Sequence, residues 1–156
     1  MSQKTLRPGP EDHASAGSNR ARTIMFSIAA VVALLGIAES TYLTVLHLSG
    51  ANIVCLGAGH CSEVLRSKWA SIGPVPLATL GGLAYFIVFS SATLAAFGDR
   101  HAPAFLGLTM ALMFLATLGL LYLQAFVLHA FCDYCLLSAA FIFLLSGLVI
   151  ALPRRE

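Results

Sequence analysis

Residues 103–152 read PAFLGLTMALMFLATLGLLYLQAFVLHAFCDYCLLSAAFIFLLSGLVIAL, and Asp133 is the only Asp, Glu, Lys or Arg among them. A membrane hydrocarbon core takes about 20 consecutive apolar residues as helix, so this stretch is long enough to cross twice. The polar positions His129 and Asp133 fall near its middle and predict the reversal there. One span then runs from Pro103 to about Leu128 and the next from about Phe131 to Leu152. The reversal carries Cys132-Asp133-Tyr134-Cys135, a Cys-x-x-Cys.

Two more spans lie upstream, over 24–48 and 76–97, and the short polar turn Gly98-Asp99-Arg100-His101 joins spans two and three. Pro76 and Pro103 suit first-turn helix positions, where a missing N–H costs nothing. The expected fold is an all-α membrane protein. It is a four-transmembrane-helix bundle over residues 23–153, with an external loop and a short interfacial helix between helices one and two. Composition agrees: 58% of residues are hydrophobic, 10% are charged and the mean hydropathy is +0.86. Soluble domains have roughly 45–50% apolar and about 25% charged residues, so an ordinary soluble domain is excluded. A net charge of +2 gives no reason to expect a nucleic-acid partner. Residues 1–22 are polar and rich in Pro, Gly and Ser, and read as a disordered tail. They are not a signal peptide, because the apolar run that follows is too long and lacks a small-residue cleavage site.

Charge orients the bundle. Lys4, Arg7, Arg20, Arg22, Arg100, Arg154 and Arg155 fall on one side of four spans, and only Arg66 and Lys68 fall on the other. The positive-inside rule puts both termini in the cytoplasm. Both cysteine pairs, Cys55/Cys61 and Cys132/Cys135, then face outward, where disulfides form and persist.

Two dithiols at one membrane face are suited to electron relay. Cys132 and Cys135 share a helix face and are close enough in sequence to form a disulfide. The helix N-terminus favours the reactive thiolate, while Asp133 opposes it by like charge. Structural disulfides, or a zinc site using all four sulfurs, are the competing readings. No nearby His pair supports zinc, and the redox reading is favoured. Cys55 and Cys61 bracket Leu-Gly-Ala-Gly-His, a loop able to swing, in which His60 is either solvated or tunes Cys61. The segment Ser62–Ala70 reads as the interfacial helix, with Trp69 as an anchor or a lid. Glu39 lies inside span one, where a carboxylate is costly, and is a candidate for proton handling or structural hydrogen bonding. Gln124 in span three stands in the same position.

These residues together resemble the vitamin K epoxide reductase family, particularly its bacterial members, over about residues 36–145. The resemblance rests on Ser40-x-Tyr42-Leu43, then on Cys55 and Cys61 followed by Ser62-x-Val64-x-x-Ser67-x-Trp69. It continues through Gly73-x-x-Pro76-x-Ala78-x-x-Gly81-x-x-x-Tyr85, Tyr122-Leu123 and Cys132-Asp133-Tyr134-Cys135-Leu136-x-Ser138-Ala139. The DsbB type of quinone-linked oxidase also has four spans and two pairs, but its Cys-x-x-Cys comes first, the reverse of the order here.

The resemblance implies a disulfide oxidoreductase in a bacterial plasma membrane. A soluble DsbA-like or thioredoxin-like protein would reduce the Cys55–Cys61 disulfide, the loop thiolate would attack Cys132, and Cys135 would be freed beside a membrane quinone. That acceptor would be menaquinone-like or ubiquinone-like, and no metal is implied. Ser67, Trp69, Leu77, Ala78, Gly81 and Ala139 would line the quinone pocket. Two departures stand out. Asp133 occupies a position where bacterial relatives often carry Pro. Leu77 and Ala139 stand where vertebrate members place an Asn and a Tyr against the naphthoquinone. Many bacterial relatives also carry a fused thioredoxin-like domain, so the partner here is expected to be a separate protein. The rival readings are a reductase of quinone or vitamin K epoxide, and a non-enzymatic scaffold held by structural disulfides.

Overall fold

The computed structural model describes residues 10–50 and 61–151. Four of its helices are long and apolar enough to cross a membrane, over Arg20–Ser49, Leu77–Ala96, Ala102–Leu128 and Asp133–Ala151. In lipid the backbone has to satisfy its own hydrogen bonds, and helices do so within each segment. The first of them, α1, spans Pro10–Ser49. It therefore begins inside the stretch expected to be a disordered tail. Pro10 suits a first helical turn, and Ala14, Ala16 and Ala21 favour helix, so propensity there outweighs the polar composition. Residues 1–9 of that tail lie outside the described residues.

The connection after α1 re-enters the described residues at a six-residue helix, α2 (Cys61–Arg66). This is shorter than the interfacial helix expected to reach Ala70, and it is followed by a tiny hairpin. Strand β1 (Ser71–Ile72) pairs antiparallel with β2 (Val75–Pro76), with Ser71 opposite Pro76. A two-residue turn closes the hairpin, with Gly73 at φ +62°, a conformation that favours glycine. Pro76 serves as the N-cap of α3 (Leu77–Ala96), one position before the helix proper.

Helix α4 (Ala102–Tyr122) follows a turn in which the Asp99 carboxylate accepts the backbone N–H groups of His101 at 2.7 Å and Ala102 at 3.1 Å. Those bonds hold the Asp99 carboxyl below its ordinary value. Pro103 lies in the first turn of α4, as expected. The helix ends in a wider π-helical turn, Leu123–Leu128, before α5 (Asp133–Ala151) begins.

Leucines and phenylalanines such as Leu83, Phe86, Leu108, Leu112 and Leu115 point outward, as a lipid-facing surface requires. Inside, one apolar cluster joins Phe26 and Ala33 of α1, Tyr85 and Val88 of α3, Leu106 and Met110 of α4, and Leu145 of α5. A second cluster closes the cysteine end of the bundle, with Leu43, Cys61, Val64, Leu65, Ala130 and Cys132 buried together. The most extensive helix pairing is α1 with α3. Small residues permit it: a Cβ added at Gly82 would lie 3.3 Å from the Ser40 side chain. At Gly36 the approach is closer still, because the Tyr85 ring occupies the space a Cβ would need, 2.5 Å from its ideal position.

Gly36→Ala should therefore destabilise the bundle by about 1–3 kcal/mol through overpacking against Tyr85. Gly107→Ala, with nothing within 4 Å of the added Cβ, should leave stability unchanged or slightly raised. Thermal unfolding of the two variants in one detergent makes the comparison.

Candidate functional site

The Cys-x-x-Cys owes its geometry to Gln124. In the π-helical turn, the Gln124 main-chain oxygen accepts the N–H groups of His129 and Ala130. His129 takes a left-handed conformation (φ 51°), which reverses the chain. The Gln124 side-chain oxygen then accepts the N–H of Cys132 at 3.1 Å. Gln124 is only 3% exposed, and its side-chain oxygen is engaged in holding the reversal. Its role is positional, which decides between the options left open for it in the sequence.

Cys132 is the residue just before α5, and its carbonyl accepts the N–H of Leu136 at 3.0 Å. It thus occupies the N-cap, where a side chain ordinarily accepts N–H groups two and three residues on. Its sulfur does so, accepting from the backbone of Tyr134 and Cys135, and it also receives the Cys135 thiol. The Cys135 thiol, joined by those backbone donors, pulls the Cys132 thiol below the ordinary thiol value, against burial and the Asp133 carboxylate, which push it up. Cys132 and Cys135 are both free thiols, and Cys132 is fully buried.

Cys61, at the start of α2, is also fully buried and is disulfide-bonded. It belongs to the same apolar cluster as Cys132, with Cys135 packed against that cluster. Cys55 and His60 lie outside the described residues. Tyr134, between the two thiols, meets Tyr42 of α1 in a tilted ring contact with centroids 5.7 Å apart, which ties the start of α5 to the first helix. Among the described residues, no group of three or more His, Cys, Asp or Glu side chains is gathered as a metal site would require.

Below the thiols, all four long helices and the α2 segment enclose a cavity of about 370 Å³. That falls within the roughly 300–1,000 Å³ of small-molecule sites. Cys135 lines it, and so do all six residues singled out as pocket candidates: Ser67, Trp69, Leu77, Ala78, Gly81 and Ala139. Leu77 and Ala139 present only apolar surface, so no hydrogen bond to a ring oxygen comes from those two positions. The Ser67 hydroxyl donates to Val64 O at 2.7 Å and that of Thr117 to Met113 O at 2.8 Å. The Tyr85 hydroxyl is engaged with Ser138 at 2.8 Å. Glu39 also lines the cavity, and both of its carboxyl oxygens are buried without a hydrogen-bond partner. Sequence reasoning had marked Glu39 and Gln124 as polar residues in apolar helices. Thr117 and Met113 of the lining carried no such signal, since their side chains are ordinary in a membrane helix.

The fold and the thiols define a multi-pass membrane protein with the Cys132/Cys135 pair and a disulfide-bonded Cys61 beside a cavity between its helices. The family model described as "Vitamin K epoxide reductase family" matches residues 27–150, and the chain belongs to that family. It is similar to the thiol-disulfide oxidoreductase LTO1 of Arabidopsis thaliana, 31% identical over 112 residues that cover 65% of this chain and 29% of the relative. The chain thus spans less than a third of that relative's length.

Two measurements test the site's construction. Alkylation of Cys132 should rise with pH through a midpoint below that of an ordinary thiol, because thiolate forms as pH passes the lowered value; in Cys135→Ala that midpoint should move up. Gln124→Leu keeps the bulk but strands the Cys132 N–H, and should cost about 1–3 kcal/mol of stability, read from thermal unfolding in detergent.

Proposed function

We propose that this protein is a quinone-dependent thiol oxidase that reoxidises a separate thioredoxin-like or DsbA-like protein. The observation that carries the reading is the stacking of three elements at one end of the bundle. These are a disulfide-bonded Cys61, a reduced Cys132/Cys135 pair in contact with the same apolar cluster, and a largely apolar cavity that Cys135 lines.

The relay proceeds by thiol–disulfide exchange. A partner dithiol reduces the Cys55–Cys61 disulfide and leaves as a disulfide. The Cys61 thiolate attacks Cys132 of the Cys132–Cys135 disulfide, forming a Cys61–Cys132 bond and expelling Cys135 as thiolate. Cys55 then attacks Cys61, which restores the loop disulfide and leaves the inner pair as a dithiol. A bound quinone supplies a two-electron, two-proton acceptor. As the inner pair gives up its electrons, it closes again to a disulfide.

The cavity suits such a ring: it is apolar on most sides, and Trp69 stands 47% exposed at its rim. The distribution of Lys and Arg supports an orientation with the cysteine end outside the plasma membrane and both termini in the cytoplasm. Exported proteins would then be the ultimate source of electrons.

With Cys55→Ala and Cys135→Ala combined, Cys61 and Cys132 lack competing partners and should close a disulfide with each other, visible by mass spectrometry of digested protein. The unsubstituted protein, given a reduced thioredoxin-like protein and ubiquinone-1 or menadione, should produce quinol, and the quinone should quench Trp69, the single tryptophan. Absence of the Cys61–Cys132 crosslink would sink the relay, and absence of quinol would sink the acceptor.

A further inference from the structure

An ionisable side chain inside a membrane helix is costly unless paired, and such groups are functional by default. Glu39 is the unpaired case here. It lies about two thirds of the way along the α1 span, and both its oxygens are buried with no hydrogen-bond partner. No Lys or Arg lines the cavity among the described residues, and His47 is the one basic side chain in that lining. Burying a polar group without partners costs several kcal/mol in an apolar medium. A Gln or Leu at this position would avoid a charge there, so structural support alone does not account for a carboxylate.

Its neighbours supply a use. The titratable groups within electrostatic reach of Glu39 are Cys132 and Cys135 on the α5 side and Tyr85 on α3. Helix α4 and its π-helical end contribute only the uncharged Thr117 and Gln124 to the cavity's polar lining, α5 adds Tyr134 and Ser138, and α1 itself adds Ser40 and His47. The Tyr85 hydroxyl is occupied by Ser138 and the Gln124 oxygen by the Cys132 backbone. The Glu39 carboxyl has neither kind of engagement, and it shares the cavity with Cys135.

We infer that Glu39 is the proton carrier between the inner thiol pair and the oxidant held in the cavity; this rests on the quinone reading above. In the balanced step, the Cys132/Cys135 dithiol is oxidised to a disulfide and releases two electrons and two protons. The quinone is reduced to the quinol and takes up both. One proton passes from the Cys135 sulfur to the Glu39 carboxylate and on to a quinone oxygen, so that Glu39 ends as it began. The other leaves Cys132 for water when its thiolate forms, and an equivalent proton returns from water to the second oxygen. Cys132 is buried in the cluster that holds Cys61 and Cys135 lines the cavity, so the two protons follow separate routes.

The test uses the full chain in detergent or lipid nanodiscs, with ubiquinone-1 or menadione as the probe. Glu39→Gln preserves shape and removes the proton site. Its turnover for quinone reduction should fall by about 10²-fold or more, the usual weight of general acid–base catalysis. Its pH profile should lose the limb the carboxylate contributes, and Glu39→Asp should recover part of the rate. Quinone affinity, read from Trp69 quenching, should stay close to that of the unsubstituted protein, and exchange between Cys61 and Cys132 should not slow. Difference infrared spectra should show a carboxylic C=O band that is lost in Glu39→Gln, a readout independent of turnover. If the unsubstituted protein reduces quinone and Glu39→Gln matches its rate and pH profile, the role of Glu39 is refuted while the quinone reading stands. If the unsubstituted protein neither reduces nor binds quinone, both fall together.

Discussion

A backbone N–H buried away from water has to find an acceptor, and for Cys132 that acceptor is the side-chain oxygen of Gln124, 3.1 Å away. Much of the cysteine end hangs on this bond. An apolar helix arriving from α4 must reverse, and a second must start, with little water to satisfy the freed backbone groups. One residue resolves the conflict by accepting three N–H groups, two at its main-chain oxygen and one at its side chain. The reversal sets Cys132 at the N-cap of α5. The donors that would otherwise be orphaned at that helix start converge on its sulfur.

The same arrangement separates the two thiols by task. Cys132 is turned into the apolar cluster that holds Cys61, whereas Cys135, one helical turn on, lines the cavity. A dithiol placed this way has one sulfur toward each exchange partner. Two further contacts hold this geometry at a distance from the cysteines. The Tyr85 ring lies against Gly36 and its hydroxyl meets Ser138, one turn beyond Cys135, so α1, α3 and α5 are registered against one another. Tyr42 and Tyr134 meet above them. The cavity is the space left between these contacts.

Much of this was legible in the sequence, and for identifiable reasons. Apolar runs of membrane-spanning length leave few alternatives to helices, so four spans could be placed to within a few residues. The ordered motifs from Ser40 to Ala139 identified the family that the comparison establishes. The helical extension of α1 back to Pro10 was missed because polar composition was weighed above helix propensity. The hairpin at Ser71–Pro76 was missed because two-residue strands carry no periodicity to detect.

By itself the sequence determined the spans, the order of the wide and tight cysteine pairs, and the presence of a carboxylate and a carboxamide where lipid would penalise them. These follow from composition and spacing, which are local properties of the chain. Only the tertiary structure decided what the polar residues do. Gln124 and Glu39 look alike in sequence, each a polar residue within an apolar helix. Packing gives the first three N–H donors to satisfy and leaves the second unpartnered in the cavity that Cys135 lines. The difference lies in where the folded backbone leaves donors within hydrogen-bonding reach, at the chain reversal for Gln124 and nowhere around the Glu39 carboxyl, and that is not written in the spacing of either helix.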